Sequence, residues 1–164
     1  MKTIIFFRHG KSDWDATYGR DHERPINNRG REASGRMGRF LADAGQLPDR
    51  IITSSAVRAC DTLERAAKEG EWGDISTIVT SDLYESSPDA VLDVIRGESD
   101  EFDRLLLVGH EPTWSQTISR MIGGGRLKMS TGTMARIDFE VPAWQHVDFN
   151  QGVLRWFVPP KSLK

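Results

Sequence analysis

The chain has 164 residues, of which 38% are hydrophobic and 28% are charged, and its formal net charge is −2. This length suits one hydrophobic core, so we expect residues 1–164 to form a single domain. The near-neutral charge argues against a nucleic-acid-binding protein, because such proteins usually have an excess of basic residues. Cys60 is the only cysteine, which excludes an intrachain disulfide and a metal site built from cysteines.

An apolar run at the N-terminus ends on three residues of a different kind, Arg8, His9 and Gly10. The β-branched and aromatic residues of this run predict a buried strand. At the carboxyl end of a strand in an open α/β sheet, an arginine and a histidine beside a flexible glycine suit a site for a small anion. The run is too short for a signal sequence or a membrane span, so we expect a cytoplasmic protein without a membrane partner.

Residues 11–28 form a long polar stretch in which apolar residues recur with neither the strand nor the helix period. A loop of this length is more often a lid or a binding loop than a plain connection, although a solvated connection would have the same pattern. After it we expect a helix that begins at Asn27 or Asn28 and ends at Gly45.

Residues 50–53 predict a short strand, and Ser54 and Ser55 are suited to cap a helix predicted over residues 56–68. The first turn of this helix contains Arg58. A helix N-terminus has free backbone N–H groups and a partial positive charge, so an arginine there adds to an anion-binding character. By itself, this arginine is equally consistent with the exposed side of an amphipathic helix.

The third predicted strand covers residues 75–79, and Ser86 or Ser87 begins a helix that has Pro88 in its first turn. Glu85 lies at the junction between these two elements. A carboxylate at such a junction either caps the following helix or faces a site.

Residues 104–108 are the most apolar run in the chain and predict a central parallel strand, which is followed by Gly109 and His110. The next apolar pattern predicts another helix. Residues 134–141 and 153–158 have the composition of two further strands.

Three of the predicted strands end beside residues that bind anions: Arg8 and His9, Arg58, and His110. The carboxyl ends of strands share one edge in a doubly wound sheet, so these residues are able to converge. Guanidinium groups hold phosphoryl oxygens and an imidazole attacks phosphorus, which indicates a phosphoryl site. The sequence has no H-E-x-x-H motif and neither histidine lies in an acidic cluster, so we expect no metal and no cofactor.

Four motifs follow one another in the chain: Phe7-Arg8-His9-Gly10, Asp21-x-x-Arg24-Pro25-Ile26, Ser54-x-x-x-Arg58-Ala59-x-x-Thr62 and Val108-Gly109-His110-Glu111-Pro112. Together they resemble the histidine phosphatase superfamily, and the small size makes the chain most similar to its SixA-type phosphohistidine phosphatases. With Thr131-Gly132-Thr133, the resemblance covers nearly the whole chain. It implies an α/β fold of the phosphoglycerate mutase type, a three-layer α/β/α sandwich around a mostly parallel sheet.

The resemblance also implies roles for individual residues. His9 would be the nucleophile and would form a phosphohistidine intermediate, while Arg8, Arg58 and His110 would surround the transferred group. Two arginines and a second histidine can stabilise the charge on the phosphoryl oxygens without a metal ion.

Two further assignments depend on the family pattern. Arg24, which follows Asp21 in a loop that lies over the pocket in related enzymes, is assigned to binding the phosphate or the substrate. Glu85 is the best positional match to the general acid of larger family members. Capping of the helix over residues 86–96, or an ion pair with an arginine, is an equally good interpretation of this glutamate.

The leading hypothesis is a metal-independent phosphatase that acts on phosphohistidine in a phosphorylated protein. A phosphatase of a small phosphomonoester would use the same pocket, and a non-catalytic phosphate-binding module is the alternative from another class. Residues 11–23 and 123–132 are expected to form the rim that distinguishes these substrates. His22 and His146 match no motif, and we expect both to be exposed.

Overall fold

The fold is built on one six-stranded sheet with helices on both faces. We describe it from a computed structural model, in which residues 1–163 are defined. The strands are β1 (Lys2–Arg8), β2 (Arg50–Ser54), β3 (Ser76–Thr80), β4 (Arg104–Gly109), β5 (Met134–Phe139) and β6 (Val153–Val158). The main helices are α1 (Asn28–Asp43), α2 (Val57–Glu69), α3 (Pro88–Arg96) and α4 (Thr113–Met121).

The strand order in the sheet is β3-β2-β4-β1-β5-β6. The first four strands are parallel, whereas β5 and β6 run antiparallel to their neighbours. Arg8 at the end of β1 pairs in register with Gly109 at the end of β4, so the residues that follow these two strands leave the sheet side by side. The mostly parallel sheet predicted from the sequence is confirmed.

Two hydrophobic cores lie on opposite faces of the sheet. On one face, Met37 and Leu41 of α1 and Ala59 of α2 pack against the odd-numbered side chains of β1. On the other face, Ile95 of α3 and Trp114 of α4 belong to the core that contains the even-numbered side chains of β1. Strand residues alternate between faces, so both cores are formed from the same apolar strands. This arrangement confirms the three-layer α/β/α prediction.

Two of the three predicted helix caps are confirmed. Asn27 Oδ1 accepts a hydrogen bond from Gly30 N–H at the start of α1 (2.8 Å), and Ser87 Oγ accepts one from Ala90 N–H at the start of α3 (3.2 Å). The prediction that Ser54 and Ser55 cap α2 is wrong, because the residue at the cap position is Ala56. The two serine hydroxyls instead contact histidine side chains.

One strand is shorter than its composition indicates: β5 ends at Phe139, two residues before the predicted end at residue 141. Residues 11–27 contain only one regular element, a single turn at Asp21–Glu23, and an isolated bridge between Ser12 and Ile26. None of the helices in the described part of the chain has the length and apolarity that a membrane crossing requires.

Candidate active site

The two histidines that follow β1 and β4 lie next to each other at the carboxyl edge of the sheet. The ring centroids of His9 and His110 are 5.3 Å apart, and only 7% of His9 and 8% of His110 are exposed. Backbone bonds fix His9 on both sides: its N–H donates to the Gly109 carbonyl, and its carbonyl accepts from the Gly132 N–H, each at 3.0 Å. The structure therefore brings together residues that the sequence separates by about a hundred positions.

The His9 ring has a defined tautomer. Nδ1 lies 2.7 Å from the carbonyl oxygen of Gly10, and because a carbonyl only accepts hydrogen bonds, we assign the proton to Nδ1 and the lone pair to Nε2. Burial lowers the pKa of His9, the bond to Gly10 partly opposes this shift, and the positive charges of three arginines lower the pKa further, to about 4. At neutral pH, Nε2 is thus an unprotonated nitrogen available as a nucleophile.

His110 is also neutral but has a different set of partners. Its Nε2 lies 2.8 Å from Ser54 Oγ. That oxygen also accepts the Ala56 N–H at 3.2 Å. The hydroxyl has one proton to donate, and we assign it to the bond with Nε2, which leaves the ring proton on Nδ1. Burial, followed by the proximity of His9 and Arg58, lowers the pKa of His110 to about 3. In this tautomer the ring is a hydrogen-bond donor.

Arg8, Arg24 and Arg58 lie close enough to His9 to act on its pKa. Seven buried side-chain nitrogen and oxygen atoms lack a hydrogen-bond partner among residues 1–163, and four of them belong to this site: the Nε atoms of the three arginines and Nδ1 of His110. Buried donors without a partner are costly and uncommon. Their concentration around His9 is the pattern expected of a site for an anion with several oxygen atoms.

Glu111 fixes the segment that positions Arg8. Its carboxylate accepts hydrogen bonds from the backbone N–H groups of Ser115 (2.7 Å) and Met129 (3.3 Å). The Met129 carbonyl in turn accepts a bond from Arg8 Nη1 at 2.8 Å. The expected rim segment 123–132 therefore reaches the pocket by holding one of its arginines.

Asp21 lies against two of the arginines. Its carboxylate accepts hydrogen bonds from Arg24 Nη1, Arg58 Nη2 (3.1 Å) and the hydroxyl of Tyr84 (2.8 Å). Its backbone carbonyl also accepts a bond from Arg58 Nη1 at 2.9 Å. Partial burial alone would raise the pKa of Asp21, but the bonds from Tyr84 and Arg24 and the two guanidinium charges outweigh it and lower the pKa to about 2. Asp21 is therefore ionised at neutral pH.

Four partly or fully exposed residues contact the arginines and histidines of the site or one another, and we call this group the pocket mouth: Trp14, Asp21, His22 and Tyr84. The Trp14 ring covers the Arg24 guanidinium at 3.7 Å, and the Tyr84 ring makes edge contacts with His22 and His110, with centroids 4.9 and 5.8 Å apart. The prediction that His22 is exposed is wrong, since its ring is half-buried and its Nε2 lies 2.9 Å from Ser55 Oγ. The turn at Asp21–Glu23 folds back onto the start of α2, which explains this contact.

Glu85 has a different environment from the other candidate residues. It is exposed, its φ of 50° lies in the left-handed region, and it forms no salt bridge with any of residues 1–163. It does not cap α3, because Ser87 does. The structure therefore supports neither helix capping nor an ion pair with an arginine for Glu85, and its role as general acid stays a prediction.

Thr62 holds the backbone of the site together. Its Oγ1 accepts a hydrogen bond from the Gly10 N–H (2.9 Å) and donates one to the Arg58 carbonyl (2.7 Å), so it ties the end of β1 to the first turns of α2. The resemblance includes Thr62 without giving it a role. The sequence also does not predict the contacts that Ser54 and Tyr84 make with His110. The only feature of the sequence that points to Tyr84 is its position next to Glu85.

Replacing Thr62 by valine is expected to lower the free energy of unfolding by about 1–3 kcal/mol, because the buried Gly10 N–H loses its partner and the Arg58 carbonyl loses its bond from the threonine hydroxyl. Urea unfolding measures this change. Thr117→Val is the matched control, since the Thr117 hydroxyl is buried without a hydrogen-bond partner in residues 1–163. Its removal is expected to be neutral or stabilising. Equal losses in the two variants would contradict the role of Thr62.

The lowered pKa values predict how the site responds to acid. In the free protein, the ¹⁵N resonances of His9 and His110 are expected to show neutral rings down to about pH 5. A histidine in an unfolded chain has a pKa of about 6.5. Below this pH, the unfolded chain therefore binds more protons than the folded one. The contribution of His9 to stability is therefore complete above about pH 6.5 and decreases as the pH falls toward about 4. Titration of His9 at its ordinary pKa would contradict the assignment of a buried, neutral nucleophile.

A family model for the histidine phosphatase superfamily (branch 1) matches residues 4–91, more than half of the chain. The chain belongs to the histidine phosphatase superfamily. The match contains His9 and all three pocket arginines, so the family resemblance predicted from the four motifs is confirmed. His110 lies outside the matched residues, and its position directly after β4 places it beside His9.

Full-length relatives support the same family. An uncharacterized protein of Mycobacterium leprae (strain TN) is 27% identical over 168 residues, covering 94% of this chain and 99% of the relative. The crystal structure described as the phosphohistidine phosphatase SixA of Agrobacterium tumefaciens is 25% identical, with a TM-score of 0.80 over 97% of this chain and 98% of that one. A protein histidine phosphatase SixA complexed with tungstate has a TM-score of 0.83 at 20% identity over 98% of each chain, which shows a shared fold.

Proposed function

We propose that this member of the histidine phosphatase superfamily is a phosphatase that hydrolyses phosphohistidine in a phosphorylated protein. One observation carries the proposal. Nε2 of the buried His9 is unprotonated, and the Nε–H groups of three arginines that act on His9, together with His110 Nδ1, have no partner among residues 1–163. This is the arrangement that phosphoryl transfer to a histidine requires, because a nucleophile and several charge-stabilising donors meet at one point.

The reaction proceeds in two displacements. His9 Nε2 attacks phosphorus, and the bond between phosphorus and the leaving group breaks on the opposite side. Arg8, Arg24, Arg58 and His110 hold the phosphoryl oxygens, whose charge increases in the transition state. Water then attacks the phosphorylated His9, releases phosphate and restores the neutral imidazole. These roles follow the family pattern and the donors at the site support them.

The choice of phosphohistidine rests on the carboxylates of Asp21 and Glu85, neither of which is held as a proton donor within the described residues 1–163. An alkoxide leaving group needs a general acid, which typically contributes about a hundredfold to ten-thousandfold. Asp21, the carboxylate in contact with the pocket arginines, is ionised, and Glu85 is exposed without a fixed partner. An imidazole departs more easily than an alkoxide, so this site suits a phosphorus–nitrogen bond better than a phosphate ester. The related SixA of Agrobacterium tumefaciens, described as a phosphohistidine phosphatase, supports the same choice.

A small phosphomonoester is the second candidate substrate, and one observation favours it. A cavity of about 530 Å³ lies between the start of α3, one side of α4 and the segment 125–127. It contains Arg120 and Arg126 together with the hydroxyl groups of Ser115 and Ser119. Such a cavity suits the polar, anionic part of a metabolite that is bound by its phosphate elsewhere.

Single-turnover hydrolysis distinguishes these candidates. The protein is mixed with a phosphohistidine peptide or with a panel of small phosphomonoesters, with a chelator present, and phosphorylated His9 is trapped by a quench without acid. Fast use of the peptide and slow use of the esters is expected. The reverse preference would assign a metabolite substrate and make Glu85 the general acid to test next. Binding of phosphate without turnover of any substrate would indicate the non-catalytic module. The cytoplasmic location, the metal-free reaction and a phosphorylated protein as the partner stay predictions.

A further inference from the structure

Asp21 lies on the solvent side of the arginines that it contacts. Its side chain is 50% exposed, whereas the side chains of Arg24 and Arg58 are only 7% and 8% exposed. The carboxylate contacts their Nη groups, and the Nε groups of both arginines remain without a partner among residues 1–163. A phosphoryl group can therefore be bound through Nε–H donors while the carboxylate stays in place at the pocket mouth.

A carboxylate beside a phosphate pocket has an electrostatic cost, because it repels the phosphoryl dianion. It also balances charge. Asp21 offsets part of the positive charge of Arg24 and Arg58, while His9 and His110 stay neutral, and Glu111 offsets part of the charge of Arg8. The repulsion is offset most directly when the substrate itself carries a positive charge at the mouth.

The direction of the reaction places the leaving group at the pocket mouth. His9 is only 7% exposed, and in-line displacement sends the leaving group away from the attacking nitrogen. A phosphoryl group on a protein side chain enters the site from solvent, so its leaving group lies on the solvent side. That path leads toward solvent, where the residues of the pocket mouth lie. Besides the carboxylate, the mouth contains the Trp14 ring, which is 68% exposed, and the edge of the Tyr84 ring. Aromatic rings and one carboxylate form a suitable environment for a flat cation.

We propose that Asp21, with the aromatic rings of the pocket mouth, selects a substrate in which the phosphorylated imidazole ring carries a proton on its other nitrogen. The carboxylate accepts a hydrogen bond from the N–H of the substrate ring at the nitrogen that is not phosphorylated. As the bond from His9 Nε2 to phosphorus forms, the phosphorus–nitrogen bond of the substrate breaks and its electron pair returns to that nitrogen. The ring, already protonated at its other nitrogen, departs as neutral imidazole and needs no proton from the protein. This inference rests on the proposed function.

The test compares Asp21→Asn with the wild-type protein on two substrates at one pH. The substrates are a phosphohistidine peptide and p-nitrophenyl phosphate, an ester whose leaving group departs as an anion. The kcat/KM for the peptide is expected to fall roughly tenfold to a hundredfold, since a charged hydrogen bond is lost. The kcat/KM for the ester is expected to rise about twofold to fivefold, because a repelling charge is removed. The ratio of the two constants is the readout that a purely structural role of Asp21 would not change.

Two further variants serve as controls. Asp21→Glu retains the charge and is expected to recover part of the preference for the peptide. Glu23→Gln alters a carboxylate of the same turn that pairs with exposed Arg20 at 3.3 Å, and it is expected to leave both constants unchanged. Equal losses on both substrates in Asp21→Asn would overturn the inference and leave Asp21 as a residue that positions the arginines. A wild-type protein that uses the ester but not the peptide would instead reject the proposed function, and the inference with it.

Discussion

Replacing His9 by alanine is expected to reduce kcat by at least about a thousandfold on any phosphorylated substrate, because the variant has no nitrogen to receive the phosphoryl group. The pocket donors remain, so phosphate is still expected to bind. Stopped-flow or quench measurements of turnover test the first expectation, and calorimetric titration with inorganic phosphate tests the second. The combination of retained binding and lost turnover separates the nucleophile from residues that only bind.

His146→Ala is the matched control for that variant, since His146 is exposed in the one-turn helix before β6 and far from β1 in the sequence. It is expected to keep the wild-type rate and the wild-type yield of phosphorylated enzyme. Normal turnover by His9→Ala, with phosphate trapped on another residue, would contradict the proposed mechanism of two displacements at His9. Denaturant unfolding of both variants checks that the alanine at position 9 has not removed the fold together with the nucleophile.

The sequence predicted the part of the site that comes from strand ends. Apolar runs define β1 and β4, and the polar residues that follow them, His9 and His110, must lie at one edge of a parallel sheet. Their closeness thus depends on topology, which the alternation of strands and helices specifies. The same reasoning located Arg58, because a helix that follows a parallel strand begins at the same edge of the sheet.

The contacts of the pocket mouth were not predictable in this way. Residues 11–27 have no hydrophobic period, so nothing in the sequence indicates that the turn at Asp21–Glu23 folds onto α2 or that His22 meets Ser55. Tyr84 lies in an irregular segment before α3, and the direction of its hydroxyl depends on tertiary packing. The ionised state of Asp21 follows from those contacts, which explains why the sequence left the question of a general acid open between Glu85 and no acid at all.

Arg58 is expected to have the second-largest effect on catalysis. It donates two hydrogen bonds to Asp21 and has an unpartnered buried Nε, so one side chain both fixes the pocket mouth and presents a donor to the phosphoryl group. Arg58→Ala is expected to lower kcat/KM by roughly a hundredfold to a thousandfold and to weaken phosphate binding, since the contact serves both ground state and transition state. Arg58→Lys is expected to recover only part of the loss, because an ammonium group lacks the planar fork of donors.

The control for Arg58 lies two helical turns further along α2. Arg65 pairs with Glu69 at 3.6 Å on a partly exposed side of the helix, so Arg65→Ala removes the same charge from the same helix without reaching the pocket. If the effect of Arg58 were only the long-range field of a positive charge, the two variants would lose activity to a similar, small degree, because solvent screens distant charges. A loss confined to Arg58→Ala, in KM as well as kcat, would show direct contact with the phosphoryl group. An unchanged kcat/KM would remove Arg58 from the site and leave Arg8 and Arg24 to hold the phosphate.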